Sequence, residues 1–396
     1  MIAYGKFVSG DAAPHIMSVS FHPPPRRILV RGVNWLGDAV MTTPALARLR
    51  EKNPGAQITL LTPAKLCDLW GDHPAVDEVI GFEPGAGLFS VGRKLRAGRF
   101  DLALVLPNSP RSAMEVWLAG IPQRIGYAQP WRNWFLTRAV PPRPGHVTMR
   151  KRMPEEIRRL VNHSAAQAGR PNSGPASAHQ IYEYLELAGT VGASIALMAP
   201  SLRLKDAELA AAASQFELDP QTKWLGINAG AEYGPAKRWP AERFLFVARE
   251  AAAWPGWGVM LFGGKSDLAM VDKIERDFWA VARHWAVRPK LVNLAGRTSL
   301  RELMALLKIC RGLLTNDTGP MHVAAALGTP VVVPFGSTSP ELTGPGLPGD
   351  PRHRLLKSDA PCSPCFLRDC PIDFRCLKGI GSDRVVAAVL EAIHQE

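Results

Sequence analysis

Long apolar stretches are missing from this 396-residue sequence. A membrane-spanning helix needs about 18 or more consecutive apolar residues, and no stretch of that length here is uniformly apolar. Residues 1–25 also lack the apolar centre of a signal peptide, because Lys6, Asp11 and three prolines at 23–25 interrupt them. These absences predict a cytoplasmic protein in which residues 1–25 form a disordered leader.

A complete glycine fingerprint for dinucleotide binding is absent as well. That fingerprint is Gly-x-Gly-x-x-Gly directly after a first strand, whereas residues 32–37 read Gly-Val-Asn-Trp-Leu-Gly. The missing middle glycine is the one that lets the backbone approach a pyrophosphate closely. The sequence therefore argues against a nicotinamide-dependent dehydrogenase.

Cysteine is scarce outside one cluster, since four of the six cysteines lie within residues 361–376. A cytoplasmic protein keeps its thiols reduced, which disfavours disulfides and leaves a metal site or free thiols. The first two cysteines have the C-x-x-C spacing of a zinc site, but the last two lack a second such pair. Two hypotheses follow, a structural zinc or iron–sulfur cluster and ordinary free thiols, for Cys362, Cys365, Cys370 and Cys376.

Positive charge is abundant and unevenly placed. The net charge is +12, and between residues 90 and 160 fourteen Lys or Arg face only four Asp or Glu. Trp117, Trp131 and Trp134 are interleaved with these cations. The mixture suits an anionic partner with an apolar part, such as a phosphorylated glycolipid at a membrane face. Nucleic acid would suit the charge equally well, and a solvated basic face is the other alternative.

Strand and helix patterns alternate along the chain, which predicts parallel sheets covered on both faces. The alternation restarts after residue 195, so we expect an α/β protein with two Rossmann-like domains, at 26–195 and 196–382, facing across a cleft. An amphipathic helix is expected at 383–396, and a turn-rich mobile loop at 163–178. The predicted strands cover residues 26–32, 56–62, 77–80, 100–107, 224–228, 258–263 and 290–294, and two more are expected at the start of 313–322 and within 329–336.

Three polar turns follow predicted strands, where the functional groups of open α/β sheets gather. Asp38 lies in the turn after the first strand, and Lys237 lies in the turn after residue 228. The third turn holds Asp317 and leads into a helix with His322. Free backbone N–H groups and the helix dipole make this third turn an anion site in outline, and Gly319 would let a ligand approach the backbone.

Each of these residues also has a purely structural explanation. Asp38 and Asp317 could cap helices, His322 could be an ordinary helical histidine, and Lys237 could form a structural pair with Arg238. A functional role is favoured because the turns of Lys237 and Asp317 lie at carboxyl ends of strands in one sheet, where they can converge on one ligand.

Taken together, the motifs resemble the ADP-heptose:lipopolysaccharide heptosyltransferases, which are glycosyltransferase family 9. The resemblance spans residues 26–393 and is greatest to the heptosyltransferase II group. It rests on Gly37-Asp38 followed by Thr-Pro-Ala-Leu at 43–46, on NAGAEYGPAKRWP at 228–240 and on NDTGPMHVAAAL at 316–327.

The resemblance implies an inverting glycosyltransferase of the GT-B fold that needs no cofactor for catalysis. Its donor would be ADP-heptose, and its acceptor an anionic glycolipid of the lipopolysaccharide inner core, heptosyl-Kdo-lipid A, at the cytoplasmic face of the inner membrane. A monomer that binds no nucleic acid is expected. The alternatives are a heptosyltransferase I or III type with a different acceptor or sugar nucleotide, and a non-enzymatic anion-binding protein.

The resemblance also implies roles for individual residues. Asp38 would be the general base and Lys237 the group that stabilises the leaving diphosphate. Donor contacts would come from Gly230, Ala231, Lys237, Asp317, Thr318, Gly319 and His322, and acceptor contacts from Asn34, Trp35, Gly37, Asn108 and Arg111.

Overall fold

The computed structural model describes residues 23–163 and 176–394. Most of the predicted leader and of the predicted loop at 163–178 therefore lies outside the described residues. The alternation of strands and helices is confirmed through both described ranges.

The first sheet is built from six strands, all paired in parallel. The strands are β1 (Arg27–Arg31), β2 (Gln57–Pro63), β3 (Glu78–Phe82), β4 (Leu102–Val105), β5 (Gln123–Tyr127) and β6 (Arg138–Val140), in the spatial order β3-β2-β1-β4-β5-β6. Ile28, Leu29 and Val30 are fully buried, as expected for a central parallel strand with helices on both faces. The helices of this part of the chain are α1 (Leu36–Met41), α2 (Thr43–Lys52), α3 (Leu88–Arg96), α4 (Pro110–Leu118), α5 (Pro154–His163) and α6 (Ile181–Gly189).

The second sheet also has six parallel strands. They are β7 (Lys223–Asn228), β8 (Trp257–Phe262), β9 (Lys290–Asn293), β10 (Gly312–Thr315), β11 (Val331–Pro334) and β12 (Arg354–Leu356). The helices around them are α7 (Asp206–Gln215), α8 (Ala241–Ala253), α9 (Leu268–Ala282), α10 (Leu300–Ile309), α11 (Gly319–Ala326), α12 (Pro340–Thr343), α13 (Arg375–Lys378) and α14 (Ser382–Ile393).

The two sheets share one topology. The second runs β12-β11-β10-β7-β8-β9, so in both sheets the first and fourth strands of the set lie side by side at the centre. The strand order reverses between these two strands, and ligands of open α/β sheets bind outside the carboxyl ends of the strands at such a reversal. Each domain therefore offers one crevice, at β1 and β4 and at β7 and β10.

The division of the chain into domains remains a prediction. Within the described chain no helix or strand lies between Gly189 and Asp206, the stretch that contains the predicted boundary. Helix α5 comes before that stretch, yet its Ile157 is buried in the hydrophobic core of the second sheet. The predicted C-terminal helix is confirmed as α14, which packs on α8 and on the second sheet. Among the described helices, none has the length and apolarity that crossing a membrane requires.

Candidate active site

The three polar turns predicted from the sequence, and the predicted acceptor residue Asn108, follow the central strands of the two sheets. Asp38 comes after β1, Asn108 after β4, Lys237 after β7 and Asp317 after β10. All four therefore lie at the reversal points of the sheets, where the flanking helices diverge and leave a crevice.

Helices α1 and α11 meet across this cleft, and glycines allow the contact. A Cβ atom on Gly319 would lie 2.8 Å from Leu36 Cδ2, and one on Gly37 would lie 2.6 Å from His322 Cδ2. The expectation that Gly319 leaves room for a ligand is therefore wrong on this side, because Leu36 of the other domain occupies that space.

Lys237 and Asp317 form the central ion pair of the site. Lys237 Nζ donates to Asp317 Oδ2 at 2.7 Å, and Thr338 Oγ1 donates to the same oxygen at 2.6 Å. The Asp317 side chain is only 5% exposed. Asp317 does not cap α11, because the N-cap position of this helix is Thr318 and no side-chain cap bond is present there.

Asn316, fully buried beside this pair, ties the turn after β10 to the loop that carries Lys237. Its Nδ2 donates to the carbonyl oxygens of Ala229 and Gly230, at 2.7 Å and 3.3 Å, and its Oδ1 accepts from Trp239 N at 2.9 Å. Trp239 is fully buried, so it anchors the far end of the loop. The position of Lys237 thus depends on a buried amide that holds both ends of its loop.

Asp38 lies in the first turn of α1, partly buried in the cleft. The N-cap position of α1 is Trp35 and no side-chain cap bond is present there, so Asp38 is not the cap. Burial raises the pKa of Asp38 to about 6; Lys237 opposes this rise and Asp317 adds to it. A carboxylate with a pKa near neutrality is matched to accepting a proton from a hydroxyl group.

His322 faces the cleft from α11 as a neutral imidazole. Burial lowers the pKa of His322 to about 4, although the charge of Asp317 acts in the opposite direction. The ring can therefore offer one N–H and one acceptor nitrogen to a ligand, and it adds no positive charge near neutral pH.

Three adjoining cavities run along the cleft. The central cavity, about 430 Å³, is lined by Lys237, Asp317 and Asp38. A second cavity, about 400 Å³, shares Trp35, Asp38 and Gln180 with the central one, and we call it the acceptor-side cavity because the predicted acceptor residues Asn34 and Asn108 line it. A third cavity, about 460 Å³, shares Glu232, Thr318 and Pro320 with the central one, and we call it the donor-side cavity because the predicted donor residues Gly230 and Ala231 line it. Asp38 thus lies on the boundary between the central and acceptor-side cavities.

Most of the predicted site residues line one of these cavities. Arg111 is the exception: its Nε donates to Glu115 at 3.1 Å and its Nη2 to Ala86 O, and it lines none of the three cavities. The structure does not support Arg111 as an acceptor contact, because the Arg111 side chain lies along the surface of α4, where it pairs with Glu115. The central cavity takes Trp35, Gly37, Asp38, Lys237, Asp317, Thr318, Gly319 and His322, the donor-side cavity Gly230 and Ala231, and the acceptor-side cavity Asn34 and Asn108.

The cysteine cluster does not form the predicted metal site. Within residues 23–163 and 176–394 no group of three or more His, Cys, Asp or Glu side chains is arranged to hold a metal ion. All six cysteines are free thiols. Burial raises the pKa of Cys362, Cys365 and Cys376, the last to about 12, so these thiols are protonated when no metal ion is bound.

Sequence reasoning missed several residues that line the central or the acceptor-side cavity. Thr338 and Phe366 come from segments far along the chain from the recognised motifs, and no local pattern marks them. Gln180 and Tyr184 reach the cleft from α6 and its start. Tyr233 lies inside the recognised lysine motif, so that motif was the one available signal.

Paired Rossmann-like domains facing across one cleft are the GT-B architecture, and the protein is a glycosyltransferase. Residues 88–154 and 147–374 match the family described as "Glycosyltransferase family 9 (heptosyltransferase)", and the chain belongs to this family.

Named relatives agree with the family. The chain is 31% identical over 329 residues to "Lipopolysaccharide heptosyltransferase 2" of Salmonella typhimurium, covering 81% of this chain and 85% of the relative. It is 30% identical to "Lipooligosaccharide heptosyltransferase 2" of Haemophilus influenzae, over 80% of this chain and 85% of that one. The solved structure of E. coli ADP-heptose LPS heptosyltransferase II superposes with a TM-score of 0.72 at 28% identity, covering 93% of this chain and 99% of the other.

Proposed function

We propose that this enzyme transfers L-glycero-D-manno-heptose from ADP-heptose to the inner core of lipopolysaccharide, with heptosyl-Kdo-lipid A as acceptor and with inversion at the anomeric carbon. The observation that carries the proposal is the position of Asp38, on the boundary of two cavities and across the central one from the Lys237–Asp317 pair. The names of the relatives support the acceptor class, and the name of the similar solved structure supports ADP-heptose as the donor.

The three cavities suit the parts of this reaction. The nucleoside would enter the donor-side cavity, the diphosphate and heptose the central cavity, and the acceptor sugar the acceptor-side cavity. Asp38 takes the proton of the acceptor hydroxyl, whose oxygen attacks the anomeric carbon from the face opposite the diphosphate. The bond to ADP breaks as the new glycosidic bond forms, so the configuration inverts.

Lys237 stabilises the charge that develops on the departing ADP. A cation that is already in position, in a site partly shielded from water, stabilises this negative charge without rearranging during the reaction. The reaction therefore needs no divalent ion at the diphosphate. The donor phosphates would compete with Asp317 for Lys237, and Thr338 would still donate to the Asp317 carboxylate. One chain lines all three cavities, so we infer that a monomer is sufficient for activity.

The direct test of this function is turnover. Purified protein is incubated with ADP-heptose and three acceptors, Kdo-lipid A, heptosyl-Kdo-lipid A and a core with two heptoses, and ADP release and product mass are measured. We expect turnover on heptosyl-Kdo-lipid A. Transfer only to one of the other two acceptors would correct the acceptor, and no turnover on any acceptor would contradict the function.

We also propose that the enzyme works at the surface of the inner membrane, through a basic aromatic surface formed by α3, α4 and the loop between β5 and β6. Helices α3 and α4 pack side by side, and residues 133–135 of the loop pack on α4. The loop joins this surface to the acceptor-side cavity, because buried Arg132 donates to Asn108 Oδ1 at 3.2 Å. The exposed aromatic and basic side chains of this surface include Phe89, Arg93, Lys94, Arg96, Trp117, Trp131 and Trp134. Trp131 is 77% exposed and Trp134 is 81% exposed.

The double variant Trp131→Ala/Trp134→Ala is expected to bind vesicles containing phosphatidylglycerol about tenfold more weakly or worse, because each indole that enters the lipid interface contributes on the order of 1 kcal/mol. Binding is measured by vesicle flotation. Phe246→Ala, which removes an exposed aromatic of the second domain, is the control and should bind as wild type does. Equal binding of the double variant and wild type would contradict the assignment of this surface.

A further inference from the structure

The segment at residues 361–376 holds the four clustered cysteines, and the catalytic steps above make no use of them. It lies between β12 and α14 and passes over the loop of Lys237. Ala236 N donates to Arg368 O at 2.9 Å, and the Tyr233 hydroxyl donates to Phe366 O at 2.8 Å. The segment thus contacts the lysine loop through its own backbone, at residues on both sides of Gly234.

Gly234 shows how close this contact is. Its φ of +149° is a conformation that favours glycine, and a Cβ atom there would lie 2.7 Å from Arg368 O. The segment therefore packs so closely on the loop of Lys237 that the loop needs a glycine at position 234.

The same segment is also hydrogen-bonded to the turn that contacts Asp317, the partner of Lys237 in the ion pair. Cys365 N and Phe366 N both donate to Ser337 O, at 3.1 Å and 2.7 Å. Ser337 precedes Thr338, whose hydroxyl donates to Asp317 Oδ2. One short piece of chain is therefore hydrogen-bonded to the loop of Lys237 and to the turn that orients Asp317.

The cysteines explain how the segment is held in place. Cys362, Cys365 and Cys376 are buried in the hydrophobic core of the second sheet. A free thiol packs as a small apolar side chain, so these three residues attach the segment to the core without a disulfide or a metal.

Tyr233 links the segment to the lysine itself. Lys237 Nζ lies 5.1 Å from the centre of the Tyr233 ring, and Arg368 Cζ lies 5.2 Å from the same ring centre. A cation is attracted to the electron-rich face of an aromatic ring. The ring thus restrains the lysine ammonium, and the hydroxyl of the same residue is fixed by Phe366 O.

We propose that residues 361–376 form a brace that holds Lys237 and Asp317 in the geometry that receives the donor diphosphate, and that Tyr233 is the positioning residue through which the brace acts on Lys237. The proposal rests on the proposed role of Lys237. An ordered lysine loses less conformational freedom when the diphosphate binds, and this raises donor affinity without a new contact to the donor.

The test separates the two contacts of Tyr233. Tyr233→Phe keeps the ring and removes the hydrogen bond to Phe366 O, whereas Tyr233→Leu removes both. We expect Tyr233→Leu to weaken ADP binding about tenfold and Tyr233→Phe about threefold or less, measured by titration calorimetry. The matched control is Tyr182→Leu, which removes a tyrosine ring that faces Arg143 at 5.5 Å and lines none of the three cavities; it should leave ADP affinity unchanged.

A double-mutant cycle decides whether Tyr233 acts through Lys237. In a Lys237→Ala background, Tyr233→Leu should change ADP affinity by less than about twofold, because the group that it positions is gone. An undiminished loss in that background would show that Tyr233 contacts the donor directly and would overturn the positioning role. If Lys237→Ala weakens ADP binding and Tyr233→Leu does not, the brace is overturned but the proposed donor site is not. No loss in Lys237→Ala overturns the proposed donor site and the brace with it.

Discussion

Asp38→Asn is expected to lower kcat by about 10²- to 10⁴-fold, the range that general-base assistance usually contributes. The substitution keeps the shape of the side chain and removes its basicity, while the donor is held by residues of the second domain. ADP affinity should therefore stay near wild type. Kinetics with saturating donor and acceptor, together with calorimetry for ADP, measure the two effects separately.

The pH profile provides an independent check on the same residue. Burial raises the pKa of Asp38 to about 6, and only the carboxylate can accept a proton. The wild-type kcat/KM should therefore fall as the pH drops below about 6, and this acid limb should be absent in Asp38→Asn. Because the fold disfavours the charged form of this carboxyl group, the Asn variant should melt no lower than wild type near neutral pH.

Glu155→Gln is a matched control for Asp38→Asn. Glu155 is also an acidic residue in the first turn of a helix, α5, but it lines none of the three cavities. Its kcat should be unchanged. Retention of more than about a tenth of the wild-type kcat by Asp38→Asn would contradict the assignment of Asp38 as the base, given the lower limit for base catalysis.

Lys237→Ala is expected to weaken ADP binding by about 1.5–3 kcal/mol, which is the usual value of hydrogen bonds to charged groups and corresponds to a loss of roughly 10- to 150-fold. It should also lower kcat, because Lys237 stabilises the leaving group. Calorimetry measures the affinity, and steady-state kinetics measures the rate.

The same substitution leaves the nearly buried Asp317 carboxylate without its ion partner, so it should lower the melting temperature. Adding Asp317→Asn to Lys237→Ala removes that unpaired charge and should raise the melting temperature again without restoring ADP affinity. Lys273→Ala is the control, because Lys273 is an exposed cation that pairs with Asp277 on the same helix and lines none of the three cavities. An unchanged ADP affinity in Lys237→Ala would remove the assignment.

Local sequence patterns predicted nine of the twelve strands and missed three that lie at or next to the edge of a sheet. Strands β1, β2, β7 and β8 are long apolar runs, and each was predicted to within about a residue or two. Strands β5, β6 and β12 were missed. Strands β6 and β12 have only three residues each, and Leu356 is the one buried residue among them, so their hydrophobic pattern is too short to recognise.

Within the site, the sequence located the residues that follow the central strands and failed for those that come from elsewhere. Asp38, Lys237 and Asp317 were predicted because a polar turn after an apolar strand is a local signal. Arg111 was assigned to the acceptor, yet its guanidinium pairs with Glu115 on the same helix. Thr338 donates a hydrogen bond to Asp317 because the chain returns to the cleft after β11. A local sequence pattern cannot predict this contact.

The sequence by itself determined nine of the twelve strands and the polar groups that follow the central strands, because hydrophobic periodicity and turn chemistry act over a few residues. The tertiary structure alone decided that Leu36 fills the space beside Gly319, that His322 is neutral and that the pKa of Asp38 is raised. It also decided that Cys362, Cys365 and Cys376 pack in a core and that no group of three or more His, Cys, Asp or Glu among the described residues is arranged to hold a metal ion. These properties depend on loss of water and on atoms from distant parts of the chain, which come together only when both domains have folded.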